Sequence, residues 1–137
     1  MKAKNPYDVL EENLSNRLMH SRFNFLEKRY RKLLDKAVQL ENQSEKILFF
    51  QYGGDFSISS ELSNELTYRF PKKIIIVAYI TGVKANVSIR GKKIREHVLK
   101  ALEGLEGATG GGHEDAVGAQ VKVEDLEKFR LKMEELI

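Results

Sequence analysis

The sequence predicts an α/β domain, a mixed β-sheet packed with helices and preceded by an N-terminal helical arm. Three observations predict it. From residue 46 onward, short apolar and β-branched runs alternate with stretches of helical periodicity. Residues 84–90 alternate strictly between polar and apolar, the pattern of a strand with one wet face. Residues 6–43 carry helix signals alone. The chain has 137 residues, the size of one ordinary domain, and its 42% hydrophobic content suffices for a core.

Taken in order, Asn5-Pro6-Tyr7-Asp8 predicts a helix start. Asn5 can cap it, Pro6 suits the first helical position, and Asp8 favours the positive helix end. Leu10, Leu14 and Leu18 follow at a spacing of four. Asn24-Phe25-Leu26-Glu27 then has the shape of a capping box, and Leu26, Tyr30, Leu33, Leu34 and Ala37 form one apolar stripe. The reading is two helices, or one kinked helix. Lys46–Tyr52 is a strand closed by Gly53-Gly54. Ser59 or Ser60 caps a short helix through Leu62 and Leu66, which Pro71 stops. Lys73–Tyr79 is a central buried strand, and a turn at Gly82 leads into the strand Lys84–Arg90.

Ile94, Val98, Ala101, Leu102 and Leu105 mark an amphipathic helix. Gly104–His113 holds five of the ten glycines and reads as a loop. Val117, Ala119, Val121 and Val123 form the last strand; Leu126, Phe129, Met133 and Leu136 form the last helix. That order contains four strands. The boundary falls near Asn42–Glu45, giving a helical arm over 1–45, linker-like or for oligomerisation, and an α/β body over 46–137.

Composition narrows the function classes. There is no cysteine, which removes disulfides, thiolate metal sites and a cysteine nucleophile together and fits a reducing cytosol. The longest apolar run, Ile74–Ile80, is far too short to span a bilayer, and no signal-peptide core follows Met1. The expectation is a cytoplasmic protein with no membrane role. Starting at Met1 without a tag, the chain reads as a complete short gene product. A net charge of +3 and a pI of about 9.0 help attract phosphate without establishing a nucleic-acid protein.

Two local signals carry chemistry. In Gly110-Gly111-Gly112-His113, three glycines permit positive φ and close approach of backbone to a ligand. Their amides can form an anion-binding nest, and His113 can donate to phosphate or stack on a base. The competing reading is a helix-to-strand turn with an incidental histidine. It is not a P-loop, since no Gly-Lys-Ser/Thr follows, and not a dinucleotide fingerprint, since it opens a strand. The second signal is the polar row Lys84, Asn86, Ser88 and Arg90, in which Arg90 can grip a phosphate with both arms of its guanidinium. The competing reading is the wet face of an antiparallel sheet.

Together these pieces carry a resemblance. Val87-Ser88-Ile89-Arg90-Gly91, then an amphipathic helix, then Gly110-Gly111-Gly112-His113 with Ala116 and Gly118, resembles the DHH-associated domain. That domain closes DHH-family phosphoesterases of the RecJ-like exonuclease and nanoRNA or cyclic-dinucleotide phosphodiesterase types. The resemblance covers residues 46–137. It implies that Arg90, Gly110, Gly111, Gly112 and His113, with Ser88 and Asn86 on the same strand, contact nucleic acid. It also implies that Ala116 and Gly118 are packing positions.

The family's catalytic half needs an Asp-His-His motif and further aspartates around two metal ions. Here His20, His97 and His113 are never adjacent, and Asp8, Asp35, Asp55, Asp115 and Asp125 sit on different segments. His97 is expected on a solvent-facing helix face. Phe49, Phe50, Tyr52, Phe56 and Tyr79 can stack on bases, but most read as core. The expectation is therefore a module that binds single-stranded DNA, RNA or short oligonucleotides, with no cofactor, no metal and no catalysis of its own. Its helical arm then needs a partner: a second copy, or a RecJ-like or replication protein. Two alternatives remain, a protein-interaction subunit of a RecJ-like nuclease or replication and repair complex, and a phosphoesterase completed by a partner chain.

Overall fold

The computed structural model describes the backbone from Pro6 and the side chains from Asn16, both through Ile137. Five strands form one sheet in the order β1-β2-β3-β5-β4. They are β1 (Ile47–Tyr52), β2 (Ile74–Thr81), β3 (Lys84–Arg90), β4 (Thr109–Gly112) and β5 (Ala116–Lys122). β1 runs parallel to β2, and every other pair is antiparallel, so the sheet is mixed. The helices are α1 (Pro6–Val38), α2 (Ser59–Arg69), α3 (Arg95–Leu102) and α4 (Leu126–Leu136), the last entered through a 3₁₀ turn. The α/β expectation holds.

β2 is an interior strand, apolar on both faces, and only its ends reach solvent. On one face, Ile76, Ala78, Ala85, Val87, Ile89, Val117, Ala119 and Val121 pack with Val98, Ala101 and Leu102 of α3 and Phe129 and Met133 of α4. Burying Phe129 completely contributes roughly 2–3 kcal/mol. α2 packs mainly on β2 and β3 of the other face, through Leu62, Ser63 and Leu66. β5 and β4 therefore lie open beside it.

Three local expectations change. The capping box at Asn24–Glu27 does not break the helix: α1 runs through it to Val38. No glycine or proline interrupts that stretch, and Glu27 instead accepts a hydrogen bond from Arg31 one turn on, at 2.8 Å. Neither Ser59 nor Ser60 caps α2 with its side chain; Ile58 holds the cap position, and the Ser59 hydroxyl is hydrogen-bonded to Tyr52. The expected glycine loop is strand β4, which raises the strand count from four to five. Glycine weakens a strand, but the tight hairpin turn brings this segment onto β5, and backbone pairing does the rest.

The chain divides into two compact units at Leu33/Leu34. Asn5 lies outside the described residues, as do the side chains of Leu10 and Leu14. Within the expected stripe, Leu34 and Ala37 are buried in the second unit, and Leu26, Tyr30 and Leu33 are half-buried. Among the described residues, the large apolar side chains exposed on the first unit are instead Leu18, Met19, Phe23 and Phe25. Among the described residues, no helix is long and apolar enough to cross a membrane.

Candidate nucleic-acid interface

β3 supplies the charged wall of the site. Ala85, Val87 and Ile89 are buried, which sends Asn86, Ser88 and Arg90 to the opposite face, half-exposed. In register across the sheet, Ser88 pairs with Gly118, and Gly118 with Gly111. The same face thus runs from a hydroxyl over two positions without side chains. An added Cβ at Gly111 or at Gly118 would meet no atom within 4 Å. The two glycines leave an open floor, and a trough of about 480 Å³ lies over this part of the sheet. Ser57, Ser59, Ser60, Asn86, Ser88, Arg90 and His113 line it, together with Gly118.

Each wall is held from behind. The Ser63 hydroxyl, fully buried on α2, donates to Ser88 at 3.0 Å. The Gln120 amide donates to the Asn86 carbonyl oxygen at 2.9 Å. The Tyr52 hydroxyl accepts the Ile58 N–H at 2.8 Å and lies 2.8 Å from the Ser59 hydroxyl, so the start of α2 is fixed to the sheet. Tyr52 itself is wedged between Phe50 and Tyr79, with ring centroids 6.0 and 5.1 Å away. These rings belong to the core, as expected.

Arg90 is the distinctive group. Its Nη1 donates to the Ile89 carbonyl at 3.2 Å, and its Nε lies 3.5 Å from the Asn64 side-chain oxygen. Among the described residues, no carboxylate lies within ion-pair distance of it. Burial lowers its pKa below the usual arginine value through desolvation. A guanidinium stays charged near neutral pH all the same. The trough therefore contains a half-buried positive charge whose partners among the described residues are neutral oxygens.

The structure brings Arg90, Ser88, Asn86 and His113 to one cavity, and it changes the role expected of the glycines. Gly110 and Gly111 lie in ordinary strand conformation; of the three, only Gly112 has positive φ, at 148°. No successive-amide nest forms, because the segment is tied into a ladder. His113 N–H donates to the Ala116 carbonyl at 2.8 Å, so by antiparallel alternation the Gly111 amide also turns to β5. The Gly110 and Gly112 amides then face outward along the sheet edge. Gly110 is a packing position, since a Cβ there would lie 2.5 Å from Leu102 Cδ1. Gly118, expected to be one, is not, because its Cβ direction is open.

His113 is exposed at the trough mouth. His97 departs from expectation: it is half-buried, and its Nδ1 is buried without a hydrogen-bond partner among the described residues. The sequence reading missed Ser57, Ser59, Ser60 and Asn64, because only the packing of α2 on β3 brings them to Arg90. The serine cluster ahead of a helix was the available signal. It also missed Asp115, whose side-chain oxygen accepts the Lys93 N–H at 2.9 Å. Among the described residues, no group of three or more His, Asp or Glu side chains converges as a metal ion requires. The described residues do not fit a two-metal centre.

Comparison with known proteins sets this geometry in context. No curated protein sequence matches the chain. Among solved structures, RecJ from Thermus thermophilus in complex with Mg²⁺ matches 97% of the chain at 16% identity and a TM-score of 0.63. The chain spans 21% of that protein's length. The C-Ala domain of Aquifex aeolicus alanyl-tRNA synthetase matches 66% of the chain and 88% of its own length, at 24% identity and a TM-score of 0.50. The pGpG-specific phosphodiesterase PggH from Vibrio cholerae matches 99% of the chain and 53% of its own length, at 13% identity and a TM-score of 0.54. At these identities the likeness is one of fold. The family model of the DHHA1 domain matches residues 42–137, most of the chain and all five strands, and the chain belongs to the DHHA1 domain family.

Proposed function

We propose that this chain is a nucleic-acid-binding module that takes single-stranded DNA, RNA or short oligonucleotides by their phosphates, and that it has no catalysis of its own. The observation that carries the proposal is Arg90, a half-buried guanidinium with no carboxylate partner among the described residues, opening into a trough floored by Gly118. Desolvation without a counter-ion costs free energy in the empty protein. A phosphate seated in the trough would offset that cost through a charge-assisted hydrogen bond, and the serine hydroxyls opposite would donate to its remaining oxygens. The glycine floor admits a backbone that a side chain would exclude. Membership of the DHHA1 family supports the reading, as does similarity in fold to RecJ, to PggH and to the C-Ala domain of a tRNA synthetase. Binding is assigned to residues 46–137, and 1–45 serve as a linker-like or oligomerisation arm in the cytoplasm.

The test is titration of a labelled single-stranded oligonucleotide at several salt concentrations. Wild type should bind weakly, with affinity falling as salt rises but less steeply than for a protein contacting many phosphates. Arg90→Ala should cost about 1.5–3 kcal/mol, the range for a hydrogen bond to a charged group, and should flatten the salt dependence. Equal affinity of the two folded proteins would overturn the proposal.

A second reading has its own support. Leu18, Met19, Phe23 and Phe25 of α1 are 60–73% exposed, which favours a homodimer or a complex with a RecJ-like or replication protein. If the chain were solely such an interaction subunit, it would be captured with a larger protein and show no oligonucleotide affinity. If it completed a phosphoesterase, metal-dependent hydrolysis would appear only on mixing with that partner.

A further inference from the structure

We propose that Asp115 is a positioning residue of the trough, acting by holding the β3–α3 loop in a strained form that sets Arg90 and Lys93 against the β4–β5 hairpin. The proposal rests on the nucleic-acid reading of the trough. Arg90 ends β3 and His113 precedes the hairpin turn, and both line the cavity. Two hairpin residues bind the loop that follows Arg90 at three points. The Gly91 N–H donates to the Asp115 carbonyl at 3.0 Å, the Lys93 N–H to the Asp115 side chain at 2.9 Å, and the Arg95 N–H to the Glu114 carbonyl at 3.2 Å.

Lys93 is the one non-glycine residue with positive φ among the described residues, at 52°. A side chain in that region is strained, and lysine has no local hydrogen bond to relieve it as asparagine would. Such strain persists only where surrounding contacts over-determine it, and it gathers at functional sites. The Asp115 side chain supplies the contact at that residue. Without its acceptor, the loop gains by leaving the left-handed conformation, and the exposed Lys92 and Lys93, which follow Arg90-Gly91 in the chain, lose their fixed place.

The sign of the effect separates this role from simple electrostatics. Removing a carboxylate near an anion site should tighten anion binding if charge alone matters. Loss of positioning weakens it. Asp115→Asn keeps the accepting oxygen and loses the charge, so a labelled oligothymidylate should bind it as tightly as wild type or more tightly. Asp115→Ala loses both, and its affinity should fall about fivefold. In a Lys93→Gly background, where positive φ carries no strain, the same Asp115→Ala change should cost less than about twofold.

Thermal melts of each variant establish that the measured protein is folded. Should Asp115→Ala alone prove unfolded, the Lys93→Gly and Lys93→Gly/Asp115→Ala pair still decides the matter through that twofold limit. Unchanged or tighter binding by folded Asp115→Ala, with Arg90→Ala weakened, would overturn the positioning role and leave the trough reading intact. An equal fivefold loss in both backgrounds would overturn it too. Absence of wild-type binding would sink the trough reading and this inference with it.

Discussion

At Gly111 and Gly112, neighbours in one strand, an added methyl group meets opposite surroundings. At Gly111 nothing lies within 4 Å and φ is ordinary, whereas at Gly112 the new Cβ would sit 2.5 Å from the Ala116 carbonyl oxygen and 3.0 Å from Val117 Cα, with φ at 148°. Those neighbours are backbone and cannot rotate away. Gly112→Ala should therefore destabilise the fold by about 2–3 kcal/mol, measured as a lowered denaturation midpoint. Gly111→Ala should leave stability within about 0.5 kcal/mol of wild type, as for a surface change that breaks nothing. On the trough reading it should still weaken oligonucleotide binding, because its methyl group stands beside Gly118 on the face the trough opens onto. Equal stability losses at the two positions would show that the space around Gly111 is not open. The contrast also shows what the sequence could not convey: three consecutive glycines look interchangeable, yet one packs, one lies open beside Gly118 and one makes a turn.

At the scale of elements, legibility followed the side chains. β3 was readable to the residue because its polar and apolar positions alternate, and burial follows that alternation. β4 was unreadable because glycines carry no alternation; only pairing with β5 makes the segment a strand. α1 was left open between two helices and one kinked helix, and it is one helix because the local capping signal at Asn24–Glu27 was outweighed by helix-compatible residues on both sides. The start of α2 lacks a side-chain cap altogether and is held by Tyr52, a residue of β1. Tyr52→Phe should thus cost about 1–2 kcal/mol by leaving the Ile58 N–H without its acceptor, although the ring packing is kept. It should also loosen Ser57, Ser59 and Ser60, seen as faster hydrogen exchange at the start of α2. If stability and exchange are unchanged, the α2 start is fixed by its core contacts alone.

For the whole molecule, the charge and the apolar surface of the first unit act in opposite directions on self-association. Between residues 16 and 33, Arg17, Arg22, Lys28, Arg29, Arg31 and Lys32 stand against one carboxylate, Glu27. On the same stretch Leu18, Met19, Phe23 and Phe25 are exposed. Soluble proteins rarely leave so many large apolar groups together in water without a binding role. Like charge opposes self-association at low ionic strength, and salt screens it over about 10 Å at 0.1 M. If the arm makes a homodimer, association should therefore strengthen with salt, the reverse of the trend predicted for oligonucleotide binding in the trough. Light scattering across a salt series should show a dimer growing as salt rises. Leu18→Ser/Phe23→Ser/Phe25→Ser should abolish it while leaving oligonucleotide affinity within about twofold, since none of the three residues lines the trough. A heteromeric partner gives the other pattern: the chain stays monomeric at all salts, and the same triple variant loses a partner that wild type captures. A clean monomer that captures nothing would mean that the arm's apolar residues serve no interface.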